Sequence, residues 1–313
     1  MNDAREKGRV VQEDDDFRTG YAAIVGRPNV GKSTLLNALI GERVSIVSAK
    51  PHTTRHRILG VLNRPSRQVI FVDTPGLQRA SHGRRGQALR RLMARTIHQA
   101  IADADIVLMM VDAQRVTVED RRLGERLAER ADDTVLVLNK IDRIHPRSAL
   151  LPLLDKLARD FACSSYVPVS STRGTNLDRL VEVISERLPP GPALFPPDAI
   201  TDRGERFRIA EFIREKLLSA LHQEVPYGLT VEVEYFGRDE EQWLVHAIIW
   251  VERASHKHIV IGKGGRVLKA AGQAARGDLV KLLDGRVHLE LWVKVREHWA
   301  DSERELRNLG FDT

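Results

Sequence analysis

Eight consecutive residues near the start of the chain have the types and spacing needed to bind phosphate. They are Gly26-Arg27-Pro28-Asn29-Val30-Gly31-Lys32-Ser33, and they fit the pattern G-x-x-x-x-G-K-[ST]. Because glycine lacks a side chain, Gly26 and Gly31 let the backbone turn tightly, so that successive N–H groups can converge on phosphate oxygens. We expect Lys32 to reach the β- and γ-phosphates of a nucleotide and the Ser33 hydroxyl to ligate Mg²⁺.

The segments on both sides of this loop fit the same interpretation. Residues 21–25 are apolar enough for a short buried strand, and residues 33–40 have helical spacing and end at Gly41. A strand, a glycine loop and a helix N-terminus together supply unsatisfied N–H donors and partial positive charge. A chance glycine-rich turn is the alternative, and the two flanking elements argue against it.

Polar residues after two further segments predict the metal and γ-phosphate contacts. A strand over residues 68–72 runs into Asp73-Thr74-Pro75-Gly76, where Asp73 would hold Mg²⁺, usually through water, and the Gly76 N–H could approach the γ-phosphate. In the polar and basic segment 48–57, Thr54 or, as the less favoured alternative, Thr53 would close over Mg²⁺. The predicted Mg²⁺ ligands are therefore Ser33, Thr54 and Asp73, and the predicted catalytic set is Lys32, Thr54, Asp73, Gly76 and Asn29.

The identity of the base is predicted from Asn139-Lys140-Ile141-Asp142, which follows an apolar strand over residues 134–138. The Asp142 carboxylate can accept hydrogen bonds from guanine N1–H and the 2-amino group, and adenine offers neither pattern, so the motif favours GTP over ATP. The Lys140 stem could lie across the base, and Asn139 could tie this loop to the phosphate-binding loop. A backbone N–H in the stretch Ser170-Ser171-Thr172 would bond guanine O6.

Each of the later motifs is weak alone, because D-x-x-G and N-K-x-D also occur as capped turns at strand ends. Their order after the phosphate-binding loop, each at the end of an apolar strand, makes the combination strong. Apolar strands that alternate with helices predict an α/β domain with a mostly parallel sheet and helices on both faces. In such sheets ligands bind beyond the carboxyl ends of the strands, where all of these motifs fall.

The chain is long enough for two domains, and its prolines indicate where they divide. Residues 189–197 carry five of the 13 prolines in a chain of 313 residues, which is typical of a semi-extended linker. Within the first domain we also expect a short strand over 42–47 and a helix over 118–130. The predicted regions are a disordered tail over 1–18, a P-loop GTPase domain over 19–188, a proline-rich linker over 189–205 and a smaller α+β domain over 206–313.

The smaller domain contains Gly262-Lys263-Gly264-Gly265, which fits the G-x-x-G loop of KH domains. Two glycines would let RNA phosphates approach the backbone at a helix N-terminus, with Lys263 and Arg266 adding charge. A glycine turn that allows close helix packing is the alternative. The order helix, strand, strand, helix, helix, strand is the type II KH arrangement and strengthens the RNA interpretation. Ile259, Val260 and Ile261 would offer apolar surface to bases, whereas Trp250 and Trp292 are expected in the core.

These motifs resemble those of the translation-factor-related GTPases and, among them, the Era family of the TrmE-Era-EngA group. The resemblance is carried by residues 26–33, 52–57, 73–77, 288–295 and 299–301, and it covers about residues 19 to 313. It implies a GTP-hydrolysing switch whose segments 48–57 and 77–95 are ordered by the γ-phosphate and Mg²⁺. It also implies a type II KH domain that binds the 3′ end of 16S ribosomal RNA in assembly of the small (30S) ribosomal subunit.

One departure from the Ras pattern affects hydrolysis. The residue after Gly76 is Leu77, which cannot hydrogen-bond the attacking water as a glutamine would, so we expect slow intrinsic hydrolysis. In related GTPases an Asn at the position of Asn29 helps to bind K⁺ near the phosphates, where the ion can act like an arginine finger. An asparagine that only caps the loop is the alternative.

Composition sets the cellular context that we expect. The formal net charge is +6, and one cysteine, Cys163, excludes an intramolecular disulfide and fits a reducing compartment. We therefore expect a cytoplasmic monomer, with peripheral contact to the inner membrane as an open alternative because residues 78–95 hold six arginines and no acidic residue. A different class of function, an RNA-binding module whose nucleotide only stabilises the fold, would show no GTP turnover.

Overall fold

The computed structural model describes residues 16–48, 50, 53–77, 86–221 and 228–311. The predicted tail over 1–18 lies outside the described residues except for its last three positions. Residues 49, 51, 52 and 78–85, which belong to the two predicted switch segments, also lie outside them. None of the described helices is both long and apolar enough to cross a membrane.

The first part of the chain forms a six-stranded sheet, in which the strands have the order β2-β3-β1-β4-β5-β6. Only the edge strand β2 runs antiparallel to its neighbour, and every other pairing is parallel. The strands are β1 Arg18–Val25, β2 Ile58–Arg64, β3 Arg67–Asp73, β4 Ile106–Asp112, β5 Thr134–Asn139 and β6 Ser165–Pro168. The helices are α1 Lys32–Ile40, α2 Gln87–Asp103, α3 Val118–Leu127, α4 Leu150–Asp160 and α5 Leu177–Ser185.

Helices cover both faces of this sheet because successive strand residues point to opposite sides. On β1, Ala22 and Ile24 join a core cluster with α1 and α5, while Ala23 and Val25 join a second cluster with α2, α3 and α4. All four side chains are fully buried, as the near-continuous apolar runs predict for a sheet covered on both faces. The predicted α/β arrangement is confirmed.

A three-stranded sheet in the order β7-β8-β9 follows. Strands β7 and β8 are antiparallel, whereas β8 and β9 are parallel. One face packs against three helices in a separate core cluster, in which Val260 is fully buried. The elements are α6 Glu205–Ala220, β7 Leu229–Arg238, β8 Trp243–Val251, α7 Ala254–Ile261, α8 Arg266–Leu282, β9 Val287–Val295 and a terminal α9 Glu303–Asn308. This is the predicted order of helix, strand, strand, helix, helix, strand.

Several local predictions were wrong. Residues 42–47 do not form a strand. Two of their backbone N–H groups donate to the Asn37 side chain instead of to another strand: Asn37 Oδ1 accepts from Val44 N and Ser45 N at 3.0 and 2.9 Å. The helix predicted over 118–130 ends at Leu127 and continues as a 3₁₀ turn. Helix α4 was not predicted. Trp292 is 41% exposed on the uncovered face of the second sheet rather than in the core.

Candidate guanine-nucleotide site and RNA-binding loop

The phosphate-binding loop joins β1 to α1 in a conformation that depends on its glycines. Gly26 and Gly31 have φ values of 155° and 105°, which side chains strongly disfavour. Gly76 approaches the same loop so closely that an added Cβ would lie 2.9 Å from the Pro28 ring. The D-x-x-G turn and the P-loop therefore face each other across the position where a terminal phosphate would bind.

Lys32 lies inside this loop and is 7% exposed. Its Nζ donates to the carbonyl oxygens of Gly26 and Arg27 at 3.2 and 3.3 Å. Burial lowers the pKa of Lys32 to about 8, an effect that Asp73 opposes and Arg27 reinforces. The ammonium is therefore poorly solvated and well placed to interact with an anion.

Asp73 is the centre of a hydroxyl cluster at the end of β3. Its Oδ2 accepts from Ser33 Oγ at 2.7 Å, from Ser45 Oγ at 2.8 Å and from Thr54 Oγ1 at 3.4 Å. The carboxylate is fully buried, its Oδ1 has no hydrogen-bond partner among the described residues, and burial raises its pKa. Sequence reasoning missed Ser45, since the segment that carries it was predicted as a strand.

The donors around Asp73 fit Mg²⁺, which prefers oxygen ligands and binds through one or two carboxylates together with substrate phosphates. Ser33 Oγ and Thr54 Oγ1 lie 3.0 Å apart, and both donate to Oδ2 of Asp73, whose Oδ1 has no partner among the described residues. Thr53 is directed elsewhere, because its hydroxyl donates to Lys50 O at 2.6 Å. In the part of the chain that the structure describes, no cluster of three His, Cys, Asp or Glu side chains could hold a metal.

The N-K-x-D residues connect the end of β5 to the P-loop. Asn139 Nδ2 donates to Val30 O at 2.8 Å, and its Oδ1 accepts from the Ser171 N–H and hydroxyl. Lys140 Nζ bridges Asn29 O at 2.7 Å and Asp112 Oδ2 at 2.6 Å. Asp112 was also missed from the sequence; its only signal was its position at the end of the apolar strand β4.

A hydrogen bond from Ser170 favours the ionised form of the Asp142 carboxylate, which can only accept hydrogen bonds. Ser170 Oγ donates to Asp142 Oδ1 at 2.6 Å, and this hydrogen bond is the main cause of the lowered pKa of the carboxyl. Its second oxygen can therefore accept from a base edge at neutral pH. The Ser170 and Ser171 N–H groups already donate to Thr175 O and Asn139 Oδ1, so a contact to guanine O6 from either would replace a protein hydrogen bond.

Other predicted nucleotide-binding residues turn their side chains away from the loop. Arg27 Nε donates to Asp120 Oδ2 at 3.1 Å on α3, so only its backbone faces the site. The Thr74 hydroxyl donates to Ile24 O at 2.8 Å, and Val30 is fully buried. Pro28 and Pro75 shape the backbone on the two sides of the site.

The predicted RNA-binding loop lies between α7 and α8. Gly262, Gly264 and Gly265 have φ values of 73°, 61° and 76°, so the loop requires glycine at three of its four positions. Lys263 is exposed, and Arg266 is exposed at the first turn of α8. Ile259 is 48% exposed beside the loop, whereas Val260 points into the core, so the prediction that Val260 offers surface to bases was wrong.

The mostly parallel sheet, the P-loop and the guanine-specific motif define a GTPase, and the second sheet with its glycine loop defines a KH domain. Family models agree: residues 21–140 match the model described as a 50S ribosome-binding GTPase, and residues 224–300 match the KH-domain model. GTPase Era of Bordetella avium is 47% identical over 296 residues, which cover 95% of this chain and 98% of that protein. The chain belongs to the Era family of GTPases.

Further relatives support the same assignment. GTPase Era of Pseudomonas aeruginosa strain PAO1 is 46% identical over 94% of this chain and 95% of its own length. A crystal structure of an Aquifex aeolicus Era variant bound to GDP·AlF₄⁻ matches with a TM-score of 0.89 and 38% identity over 95% of this chain and 100% of that one. A structure of Era with MgGDPNP and nucleotides 1506–1542 of 16S ribosomal RNA gives the same TM-score, identity and coverage.

Proposed function

We propose that this GTPase couples its nucleotide state to binding of single-stranded RNA at the 3′ end of 16S ribosomal RNA, in assembly of the 30S subunit. One observation carries the coupling: the segment 53–57 contacts both the candidate Mg²⁺ cluster and the KH domain. A change in this segment when the γ-phosphate is lost would therefore reach the RNA-binding half of the chain directly.

The contacts of this segment alternate between the two halves. Thr54 lies against Ser33 and Asp73, while the carbonyl of Thr53 accepts from Arg214 on α6. Arg55 is 2% exposed, and its Nη1 donates to Leu229 O at 2.7 Å at the start of β7. Movement of Thr54 away from the metal cluster would therefore strain or break buried hydrogen bonds to the KH domain, each costly to leave unmade.

Arg214 holds its side of this contact in a fixed position. Its Nε and Nη2 each lie 2.6 Å from a carboxylate oxygen of Glu211, a bidentate pair that is almost fully buried. Such a pair fixes orientation more than it adds stability. Arg214 can therefore present one donor to the Thr53 carbonyl with little rotational freedom.

The RNA assignment rests on the exposed glycine loop and on the Era structure that contains 16S ribosomal RNA nucleotides 1506–1542. We expect Lys263→Glu to weaken binding of that RNA by roughly tenfold, because a phosphate would face a carboxylate instead of an ammonium. Lys269→Glu is the matched control, since Lys269 is an exposed lysine on α8 outside the loop. Equal RNA affinities for the two variants would contradict the assignment, and thermal unfolding would show that the KH domain of both variants remains folded.

For the nucleotide itself, we propose that Ser33, Thr54 and Asp73 hold Mg²⁺ and that Asp142 recognises guanine. The support is the hydroxyl cluster on Asp73 and the second carboxylate oxygen of Asp142, which is not the one that accepts from Ser170. We also propose K⁺ at Asn29, whose φ of 65° turns this residue sharply within the P-loop. Faster GTP hydrolysis in K⁺ than in Na⁺ buffer is the expected result, and equal rates would rule the K⁺ site out.

The domain limits and setting are proposals of the same kind. We propose a GTPase domain over 19–188, a linker over 189–205 and a KH domain over 206–313, because α5 ends at Ser185 and α6 begins at Glu205. The linker packs along the sheet edge, with Ile200 O accepting from Val61 N at 3.0 Å. A cytoplasmic monomer suits the single cysteine and the ribosomal substrate, and co-sedimentation with anionic vesicles would reveal a membrane-bound fraction.

A further inference from the structure

A recessed basic groove has no residue of the P-loop or of the G-x-x-G loop in its lining. It has a volume of ≈ 740 Å³ and is bounded by helix α2, the segment 55–57 and Phe311. Its lining includes five basic side chains, Arg55, His56, Arg57, Arg95 and His98, and no acidic side chain among the described residues. Arg55 is buried and lies near Glu211 and Glu252, so the positive charge that the groove presents comes mainly from Arg57 and Arg95. Positive charge in a concave site favours an anionic occupant.

One wall of the groove is a stacked pair of rings, of which Phe311 is buried and His56 is half-buried. His56 stacks on Phe311 with ring centroids 4.3 Å apart and an interplanar angle of 21°. Buried Leu92 lies in the lining, and Thr96 and Gln99 supply polar groups one and two helical turns along α2. Basic and polar side chains around a recess suit the phosphates of a single strand, which a positively charged groove can follow.

Two arginines of the groove are available for a ligand to different degrees. The Arg57 Nε is buried and has no hydrogen-bond partner among the described residues. Arg95 is exposed at the rim, where its Nη2 lies 2.9 Å from Glu303 in a solvent-exposed pair that contributes little energy. A phosphodiester could contact the exposed part of the half-buried Arg57 side chain and compete with Glu303 for Arg95.

We propose that this groove is a second RNA-binding site, which takes the sugar–phosphate backbone of single-stranded RNA beyond the few nucleotides that the KH loop holds. The inference rests on the proposed RNA-binding function. A KH loop clamps about four nucleotides, so a longer RNA has backbone to place elsewhere. The recess admits a single strand but not a flat bilayer, and the exposed large apolar residues of the described chain lie outside it.

The experiment measures affinity of the full chain for RNA of the sequence of 16S nucleotides 1506–1542, as a function of salt. We expect Arg57→Gln and Arg95→Gln each to weaken binding by roughly three- to tenfold. Each should also lower the slope of log affinity against log salt by about 0.7, the value for one phosphate contact on a single strand. Arg91→Gln is the matched control, because Arg91 is exposed on the same helix and does not line the groove.

The results of these RNA and vesicle measurements distinguish failure of the groove from failure of the proposed RNA-binding function. Affinities and salt slopes equal to those of Arg91→Gln would overturn the groove while leaving the KH assignment intact. A wild-type chain that does not bind the RNA at all would overturn the proposed function and this inference together. Loss of binding to phosphatidylserine vesicles in Arg57→Gln and Arg95→Gln, with RNA binding unchanged, would assign the groove to lipid instead. Thermal unfolding tests whether the variants fold. Because the Arg95 side chain is exposed, Arg95→Gln is expected to fold normally even if Arg57→Gln does not.

Discussion

Lys32 should make nucleotide binding depend on pH above neutrality. Burial lowers its pKa from 10.5 to about 8. This shift means that burial destabilises the charged ammonium relative to the neutral amine by roughly 3 kcal/mol. A bound triphosphate favours the charged form, so binding above pH 8 must take up a proton. At pH 8.5 about three quarters of the free protein carries neutral Lys32, and the affinity for GTP should be about fourfold lower than at pH 7.

The same shift has the opposite effect on the stability of the nucleotide-free protein. An unfolded chain keeps the lysine proton up to about pH 10.5, whereas the folded chain releases it near pH 8. The unfolded state therefore binds more protons in this interval, and the free energy of unfolding contributed by Lys32 rises with pH between the two values. Nucleotide affinity and apo stability should thus change in opposite directions over this range.

Calorimetric titration of GTP at pH 7.0 and 8.5, in two buffers of different ionisation enthalpy, measures both the affinity and the proton uptake. Lys32→Arg is the control, because a guanidinium stays protonated at both pH values and its affinity should be lower but independent of pH. Equal wild-type affinities at the two pH values, without proton uptake at pH 8.5, would contradict the role given to burial of this lysine.

Three further predictions follow from individual contacts. Asp142→Asn should shift preference from GTP to xanthosine triphosphate by at least roughly tenfold in competition binding, because the amide can donate to a 2-oxo group but no longer accepts from both guanine N–H groups; retained GTP affinity would mean the base pocket is misplaced. Gly76→Ala places a Cβ 2.9 Å from Pro28, so binding of a GTP analogue should fall while GDP binding is kept, and equal losses would count against the γ-phosphate assignment. Arg214→Met should lower stability by about 3 kcal/mol in denaturant unfolding by leaving Glu211 buried and unpaired, and adding Glu211→Leu should restore much of it without restoring RNA-stimulated hydrolysis; full stimulation in the stable double variant would refute the coupling contact.

The parts of the site that could be predicted were those specified by local chemistry. Gly26, Gly31 and Asp73 could be identified from the sequence because phosphate and Mg²⁺ restrict the residue types that can surround them. The ends of the strands could be predicted from apolar runs such as 106–111, because strands of a sheet covered on both faces are almost continuously apolar. The proximity of Ser33 and Asp73 followed from parallel topology, because the P-loop and the D-x-x-G turn follow the neighbouring parallel strands β1 and β3.

What the sequence could not provide depends on long-range packing. Ser45 reaches Asp73 only because Asn37 bonds the backbone of residues 44–45, a contact that has no periodic pattern. The hydrophobic run 259–261 gave no sign of which residue points inward, and the register of α7 buries Val260 while exposing Ile259. The contact between Arg214 and the Thr53 carbonyl joins residues 161 positions apart and has no sequence signature.

GTP hydrolysis by the purified chain, measured with and without RNA carrying the 16S 3′ end, tests the central claim most directly. We expect slow turnover that the RNA changes, because the segment 53–57 connects the candidate metal cluster to the KH domain. Turnover that proceeds at the same rate with saturating RNA bound would contradict it, and would leave two domains that share a chain without communicating.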